Sequence, residues 1–201
     1  MCQQHIFTRI EVEQKNESVQ QGQIVGIKFK KTYNKEVYYT MAIDKVREYF
    51  KTYQMDDQIL EFEVSSATVE LAAEALHCEG KRIAKTMSFL VGDQPILIVT
   101  AGDTKIDNAK YKHFFGTKAK MIPGDEVENI IGHSIGGVCP FAINDNVKVY
   151  LDDSLKRFKT VFPAAGSSNS AIELTIPELE KYSNFLQWID VCKGWQDSNI
   201  I

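Results

Sequence analysis

The sequence predicts an α+β domain built on a mixed sheet, and three observations carry that expectation. Apolar residues at helical spacing and short apolar runs of strand type are interspersed along the chain. The pieces lack the regular long strand–helix–strand rhythm of a doubly wound nucleotide-binding fold. The length, 201 residues with 44% apolar and 25% charged residues, suits one soluble domain with a sizeable core and at most a short appendage.

Residues 1–40 differ from the rest. They are rich in Gln, Lys, Glu and Asn, carry short β-like runs (Ile24 to Phe29, Val37 to Thr40) and show no helical period. They are expected to form an N-terminal extension, with the main domain spanning 41–201. Ile43, Val46, Phe50 and Tyr53 then suit one face of a helix. Leu60, Phe62 and Val64 alternate as a half-buried strand would. Thr68 is an expected N-cap, with Glu70 in the first turn of a helix through Leu76. The runs Thr86 to Val91 and Pro95 to Thr100, parted by Gly92-Asp93-Gln94, predict a β-hairpin. Asn108 to Phe115 reads as a helix stopped by Gly116, and Pro123 opens a second over Asp125 to Ile131. Val147 to Leu151 predicts a strand followed by a helical turn around Leu155. Ala171 to Thr175 predicts another strand, and Pro177 starts a helix through Leu179 and Tyr182.

The formal charge of −4 excludes a protein that coats nucleic acid non-specifically. A local basic patch is conceivable from Lys105, Lys110, Lys112, Lys118 and Lys120, with Lys156, Arg157 and Lys159 further on, although solvated faces explain them as well. Cys2, Cys78, Cys139 and Cys192 form no CxxC pair, so neither a zinc site nor a disulfide framework is expected. No apolar segment is long enough to span a bilayer, and Met1 to Val12 lacks the apolar run of a signal peptide. A cytoplasmic protein with reduced thiols, no membrane attachment and no metal or other cofactor is the expectation.

Signatures of dinucleotide, P-loop, zinc-protease and serine-hydrolase chemistry are missing. His5, His77, His113 and His133 share no ligand spacing, and only His133, beside a glycine loop, is kept as a candidate. Two features stand out. Lys85 enters an apolar strand, a place where a lysine usually snorkels into water. The loop Gly132-His133-Ser134-Ile135-Gly136-Gly137-Val138-Cys139-Pro140-Phe141 lets the backbone approach a ligand and frees N–H groups for an oxyanion or phosphate.

From about Met41 to Lys193 the chain resembles the YbaK/prolyl-tRNA-synthetase-associated domain family. The resemblance lies in Ser65-Ser66-Ala67-Thr68-Val69-Glu70-Leu71-Ala72-Ala73, Ala84-Lys85-Thr86, Ile98-Val99-Thr100-Ala101-Gly102-Asp103 and Gly116-Thr117-Lys118-Ala119. It continues through Gly136 to Phe141, Pro163 to Asn169 and Ala171-Ile172-Glu173-Leu174, in the family's order. The resemblance implies a partly barrel-like sheet flanked by short helices. It also implies an aminoacyl-tRNA deacylase acting in trans on the 3' CCA end of mischarged tRNA, in transient contact with prolyl-tRNA synthetase and not with DNA. Such a second sieve answers a physical problem, because a pocket separates amino acids differing by one methylene by only roughly 10- to 200-fold.

By the same resemblance Lys85 is the catalytic candidate. Thr86, Gly136, Gly137, Val138, Cys139, Pro140, Gly166, Ser168 and Asn169 are implied substrate-binding residues, with His133, Thr68 and Phe162 as secondary candidates. An aminoacyl ester is already activated, so orienting a water or ribose hydroxyl and stabilising the oxyanion can suffice. Phe162 stands where alanine-clearing members often carry a histidine, and Ala171 where the cysteine-clearing branch has an aspartate. A more apolar pocket for a small amino acid on tRNA-Pro is therefore implied. Two other readings stay open: a module of the same fold that binds tRNA or a nucleotide without hydrolysis, and a thiol-dependent hydrolase or peroxidase using Cys139, which needs an activating base and a low thiol pKa.

Overall fold

The apolar runs on either side of Gly92 form the expected hairpin, β2 (Ile83–Val91) with β3 (Gln94–Ala101), after a short first strand β1 (Ile59–Glu61). Val91 and Gln94 face each other across a two-residue turn, and Gly92 takes a positive φ of 60° there. The computed structural model describes residues 35–196, with side chains from Ala42 onward. Beyond the hairpin the described strands are β4 (Lys105–Ile106), β5 (Lys148–Asp152), β6 (Thr160–Pro163), β7 (Ser170–Ile172), β8 (Leu174–Thr175), β9 (Gln187–Ile189) and β10 (Cys192–Lys193). The helices are α1 (Lys35–Lys51), α2 (Val69–Ala75), α3 (Asn108–Phe115), α4 (Gly124–Ile131) and α5 (Ile176–Ser183).

Six strands make one curled, half-barrel sheet in the order β8-β6-β2-β3-β5-β9. It is mixed: β2 with β3 and β6 with β8 run antiparallel, while β2 with β6, β3 with β5 and β5 with β9 run parallel. The mixed α+β architecture is thus as the sequence predicts. The strand alternation sorts side chains to two faces. Ala84, Leu97, Val99, Ala101 and Leu151 pack with Ile43, Val46 and Phe50 of α1, Val127 and Ile131 of α4, and Leu179 of α5. Phe89, Ile96, Ile98 and Tyr150 face the other way, onto Tyr111 of α3. Each buried Val, Leu, Ile or Phe among them contributes roughly 1.5–3 kcal/mol by leaving water.

Helix ends follow their sequence signals. Thr68 Oγ1 accepts from the Leu71 amide, and Asp107 caps α3 through Ala109 and Lys110. Thr175 and Glu178 close a capping box on α5, with Pro177 in its first turn. Gly116 and Gly132 end α3 and α4 at positive φ.

Three expectations change. Val37 to Thr40 belongs to α1 and not to a strand, so position 41 falls inside that helix; Ile24 to Phe29 lies outside the described residues. In β1 the inward residue is Ile59, set opposite buried Ile172, while Leu60 and Val64 are exposed. The run Ala171 to Thr175 is broken into β7 and β8 at Glu173. Its carboxylate turns outward to accept from Arg82 Nη2 at 2.8 Å and Thr160 Oγ1 at 2.7 Å. No described helix is long and apolar enough to cross a membrane.

Candidate functional site

The sheet has a break in its hydrogen bonding on the β6 side of β2. Pairing with β6 ends at Ala84 opposite Pro163. Pairing on that side resumes only where the Ser88 carbonyl accepts from the Ile122 amide at 3.1 Å and the Leu90 amide donates to Lys120 at 2.8 Å. A cavity of about 570 Å³ opens at the break. One wall is the start of α2 with the residues before it (Ala67, Thr68, Val69, Ala72), and β2 supplies Ile83 to Ser88. The rest comes from Met121, Ile122, Gly124 and Val127, from Ile135, Gly136 and Val138, and from Phe162, Ala164, Ser170 and Ala171. The lining contains no Asp or Glu.

Lys85 is the only charged residue in that lining. Its tip does not run out into water as a strand-end lysine was expected to do. The side chain is half-buried, and Nζ donates to the carbonyl oxygens of Gly102, at 3.2 Å, and Thr104. Burial draws its pKa below the ordinary lysine range, opposed by the charges of Asp103 and Glu70 nearby. No carboxylate among the described residues forms an ion pair with it.

The loop that holds Lys85 is itself braced. Arg157 grips Asp103 with both ends of its guanidinium, at 3.0 and 2.6 Å, while its Nε donates to Ser154 at 2.9 Å. Ser154 Oγ accepts from the Ala101 amide at 3.1 Å, and Thr104 Oγ1 donates to the Ala101 carbonyl at 2.8 Å. Gly102 can only be glycine, because a Cβ there would sit 2.1 Å from the Gly80 carbonyl oxygen.

The implied substrate-binding residues divide into two groups. Thr86, Gly136 and Val138 line the cavity, as do Thr68 and Phe162. Thr86 Oγ1 is buried without a hydrogen-bond partner, whereas Thr68 is occupied as the α2 cap. Gly137, Cys139, Pro140, Gly166, Ser168 and Asn169 do not line it. A Cβ on Gly137 would meet the Gly166 and Ser167 backbone at 2.8 Å, and one on Gly136 would lie 2.9 Å from Ala67 Cβ. The Gly137 amide donates to Ser134 at 3.0 Å, so it is spent on the turn and not free for an oxyanion. The Ser168 carbonyl accepts from the Ser66 amide at 2.7 Å, and Asn169 Nδ2 donates to Phe62 at 2.8 Å, pinning the segment before α2.

His133 and Cys139 do meet, but in the interior. The Cys139 amide donates to His133 Nδ1 at 3.3 Å, Sγ lies 3.5 Å from the same nitrogen, and both side chains are fully buried. Burial lowers the histidine pKa to about 4 and pushes the thiol up to about 12. A neutral imidazole beside a protonated thiol gives no nucleophile. The thiol-hydrolase reading therefore has no chemistry to stand on.

The lining also takes in residues not singled out individually as site candidates, among them buried Ser88, and Met121 and Ile135, which stand about 60% exposed at the rim. The basic residues also sort out. Lys110, Lys156 and Arg157 are paired with Asp190, Asp153 and Asp103, while exposed Lys105, Lys112, Lys118 and Lys120 have no ion-pair partner among the described residues.

Comparison with known proteins agrees with this geometry. Residues 63–182 match the family model of the aminoacyl-tRNA editing domain. An uncharacterized protein of Bacillus subtilis, YwhH, is 55% identical over 157 residues, covering 78% of this chain and all of that protein. The proline–tRNA ligase of Lactiplantibacillus plantarum is 24% identical over 112 residues, covering 55% of this chain but only 20% of the ligase. Among solved structures, a candidate trans-editing enzyme for prolyl-tRNA synthetase superposes with a TM-score of 0.69 at 25% identity, over 76% of this chain and 98% of that one. The hypothetical protein APE2540 gives a TM-score of 0.66 at 26% identity, over 74% and 99%. With the family model spanning the whole cavity wall from α2 to α5, the chain belongs to the aminoacyl-tRNA editing domain family.

Proposed function

We propose that the protein is an aminoacyl-tRNA deacylase that acts in trans, hydrolysing the ester of tRNA-Pro mischarged with a small amino acid. The observation that carries this reading is a fixed cation, Lys85, at an otherwise uncharged cavity in an editing-domain fold. An aminoacyl ester needs no strong nucleophile, and none is offered, since Cys139 stays a buried thiol and His133 a buried neutral ring. What the site supplies is position and field. Lys85, immobilised by two carbonyls, places positive charge where a carbonyl oxygen gains negative charge or where the terminal phosphate must sit. The attacking water or ribose hydroxyl is then held against the ester within the cavity.

Selection follows from the walls. Phe162, Ala164, Ala171 and Val138 are apolar, and an apolar pocket excludes by size with only a few kcal/mol of discrimination. Alanine, cysteine and serine should all be accepted. The partners of this reading are the 3' CCA end of the tRNA and, in passing, prolyl-tRNA synthetase; the compartment is the cytoplasm, and no cofactor is needed. The test is a panel of tRNA-Pro charged with alanine, cysteine, serine, leucine or glutamate, with kcat/KM measured in the presence of EDTA. Small residues should be removed and leucine and glutamate spared. No hydrolysis of any member, or a preference for the large or charged residues, would overturn the reading.

A further inference from the structure

One residue of β2 offers more unsatisfied polar groups than a strand normally tolerates. In the β2–β3 hairpin, Val91 and Gln94 close a two-residue turn and so exchange both of their backbone hydrogen bonds. Antiparallel alternation then gives bonds to β3 from Lys85, Met87 and Phe89 and turns the N–H and C=O of Thr86 and Ser88 the other way. The Ser88 carbonyl does point outward, since it accepts from Ile122. Thr86 has no such partner: β6 stops pairing at Ala84, and the 120–122 segment begins only opposite Ser88. Its N–H and C=O therefore open into the cavity, and its Oγ1, buried and unpartnered, adds a third group at the same place.

We propose that this one-residue gap is the seat of the aminoacyl group, which docks as a one-residue strand. An aminoacyl ester carries an amino donor and a carbonyl acceptor in the same relation as a residue of a β-ladder. The Thr86 N–H donates to the ester carbonyl, and the Thr86 C=O and Oγ1 accept from the α-ammonium, which finds no carboxylate in this lining. The substrate's side chain is then read by the apolar walls and not by Thr86. The contact with the carbonyl oxygen strengthens as that oxygen becomes an oxyanion.

This inference rests on the deacylase reading, and the test separates the two. tRNA-Pro carrying alanine, serine or propionate, which lacks the amino group, is hydrolysed by wild type and by Thr86→Val. In wild type, propionyl ester should be a roughly 10- to 100-fold poorer substrate than alanyl ester by kcat/KM, the worth of hydrogen bonds to a charged group. Thr86→Val should lower alanyl and seryl hydrolysis by the same factor, about tenfold, yet change propionyl hydrolysis less than twofold, because the partner of the lost hydroxyl is absent there. Equal losses on alanyl and propionyl esters, or a loss confined to the seryl ester, overturn the proposal. Wild type inactive on every ester would instead refute hydrolysis, and the gap is then judged by binding alone. On saturation with 3'-(L-alanylamino)-3'-deoxyadenosine, the Thr86 amide resonance should shift; an unmoved resonance overturns the proposal.

Discussion

Replacing Lys85 by alanine tests the architecture of the site and its chemistry in one variant, and the two effects have different sizes. The ammonium donates to two carbonyls, and hydrogen bonds involving a charged group are worth about 1.5–3 kcal/mol each. Half-burial disfavours the cation, as its lowered pKa shows, and so offsets much of that gain. A net loss of about 1 kcal/mol is expected, or roughly 2–4 °C in Tm for a chain of this length. An exposed lysine would cost almost nothing. With Lys85 in the role proposed for it, removal of its charge should lower kcat/KM by roughly 10²–10³. Lys85→Arg should not rescue it, because a planar fork cannot occupy a point between the Gly102 and Thr104 carbonyls. The assay is release of labelled alanine from tRNA-Pro, beside a thermal melt. Activity within twofold of wild type would refute the role of Lys85, and an unchanged melt would refute its clamp. The pH dependence follows from the same burial. Because the folded pKa lies below that of the free side chain, the unfolded chain binds more protons between the two values. Stability should therefore rise slightly with pH across that window, while activity that needs the cation falls there.

Four further outcomes follow from the structure. His133 is neutral in the fold with a pKa of about 4, so below pH 6.5 the unfolded chain takes up a proton the folded one refuses; chemical denaturation should show about 3 kcal/mol lost between pH 6.5 and 4, and much less in His133→Leu. Cys139→Ser should keep most of the deacylation rate, and Cys139 of the native protein should resist iodoacetamide until it is unfolded. Gly137→Ala forces a Cβ to within 2.8 Å of the Gly166 backbone and should cost about 1–3 kcal/mol in denaturant titration, with activity lost as the wall shifts. A chain trimmed to begin at Met41 keeps the buried Ala42, Ile43, Val46 and Phe50 of α1, and should still fold and deacylate; precipitation would assign residues 1–40 to the core.

What the sequence disclosed depended on how local the cause was. Helices α3, α4 and α5 were legible almost to the residue because the signals that bound them, Gly116, Pro123 and Pro177, act within one turn. The hairpin was legible because Gly92 determines its turn. Strands β4, β6, β9 and β10 were not, since two to four residues give no period and each is held only by a distant partner. Leu60 misled for a similar reason: register against Ile172, set across the fold, decides which side of β1 is buried. In the site, Lys85, Gly136 and Phe162, named by resemblance, line one cavity. The clamp by Gly102 and Thr104, and its brace from Arg157, join residues far apart in the chain and leave no motif. The glycine loop suggested free amides, yet Gly137 shows its amide spent on the Ser134 turn and its missing side chain spent on packing.

The break in the border of β2 also bears on how the molecule avoids its own kind. An unpaired strand edge is the usual template for runaway association between chains, and proteins commonly blunt it with charge, proline or a covering element. Here the covering elements stop short of each other by a single residue. A strand from another molecule needs several consecutive partners before its pairing outweighs the ordering it demands, and the segments on either side of Thr86 deny it those. The gap is a template cut to the size of one amino acid, too short to seed a fibril.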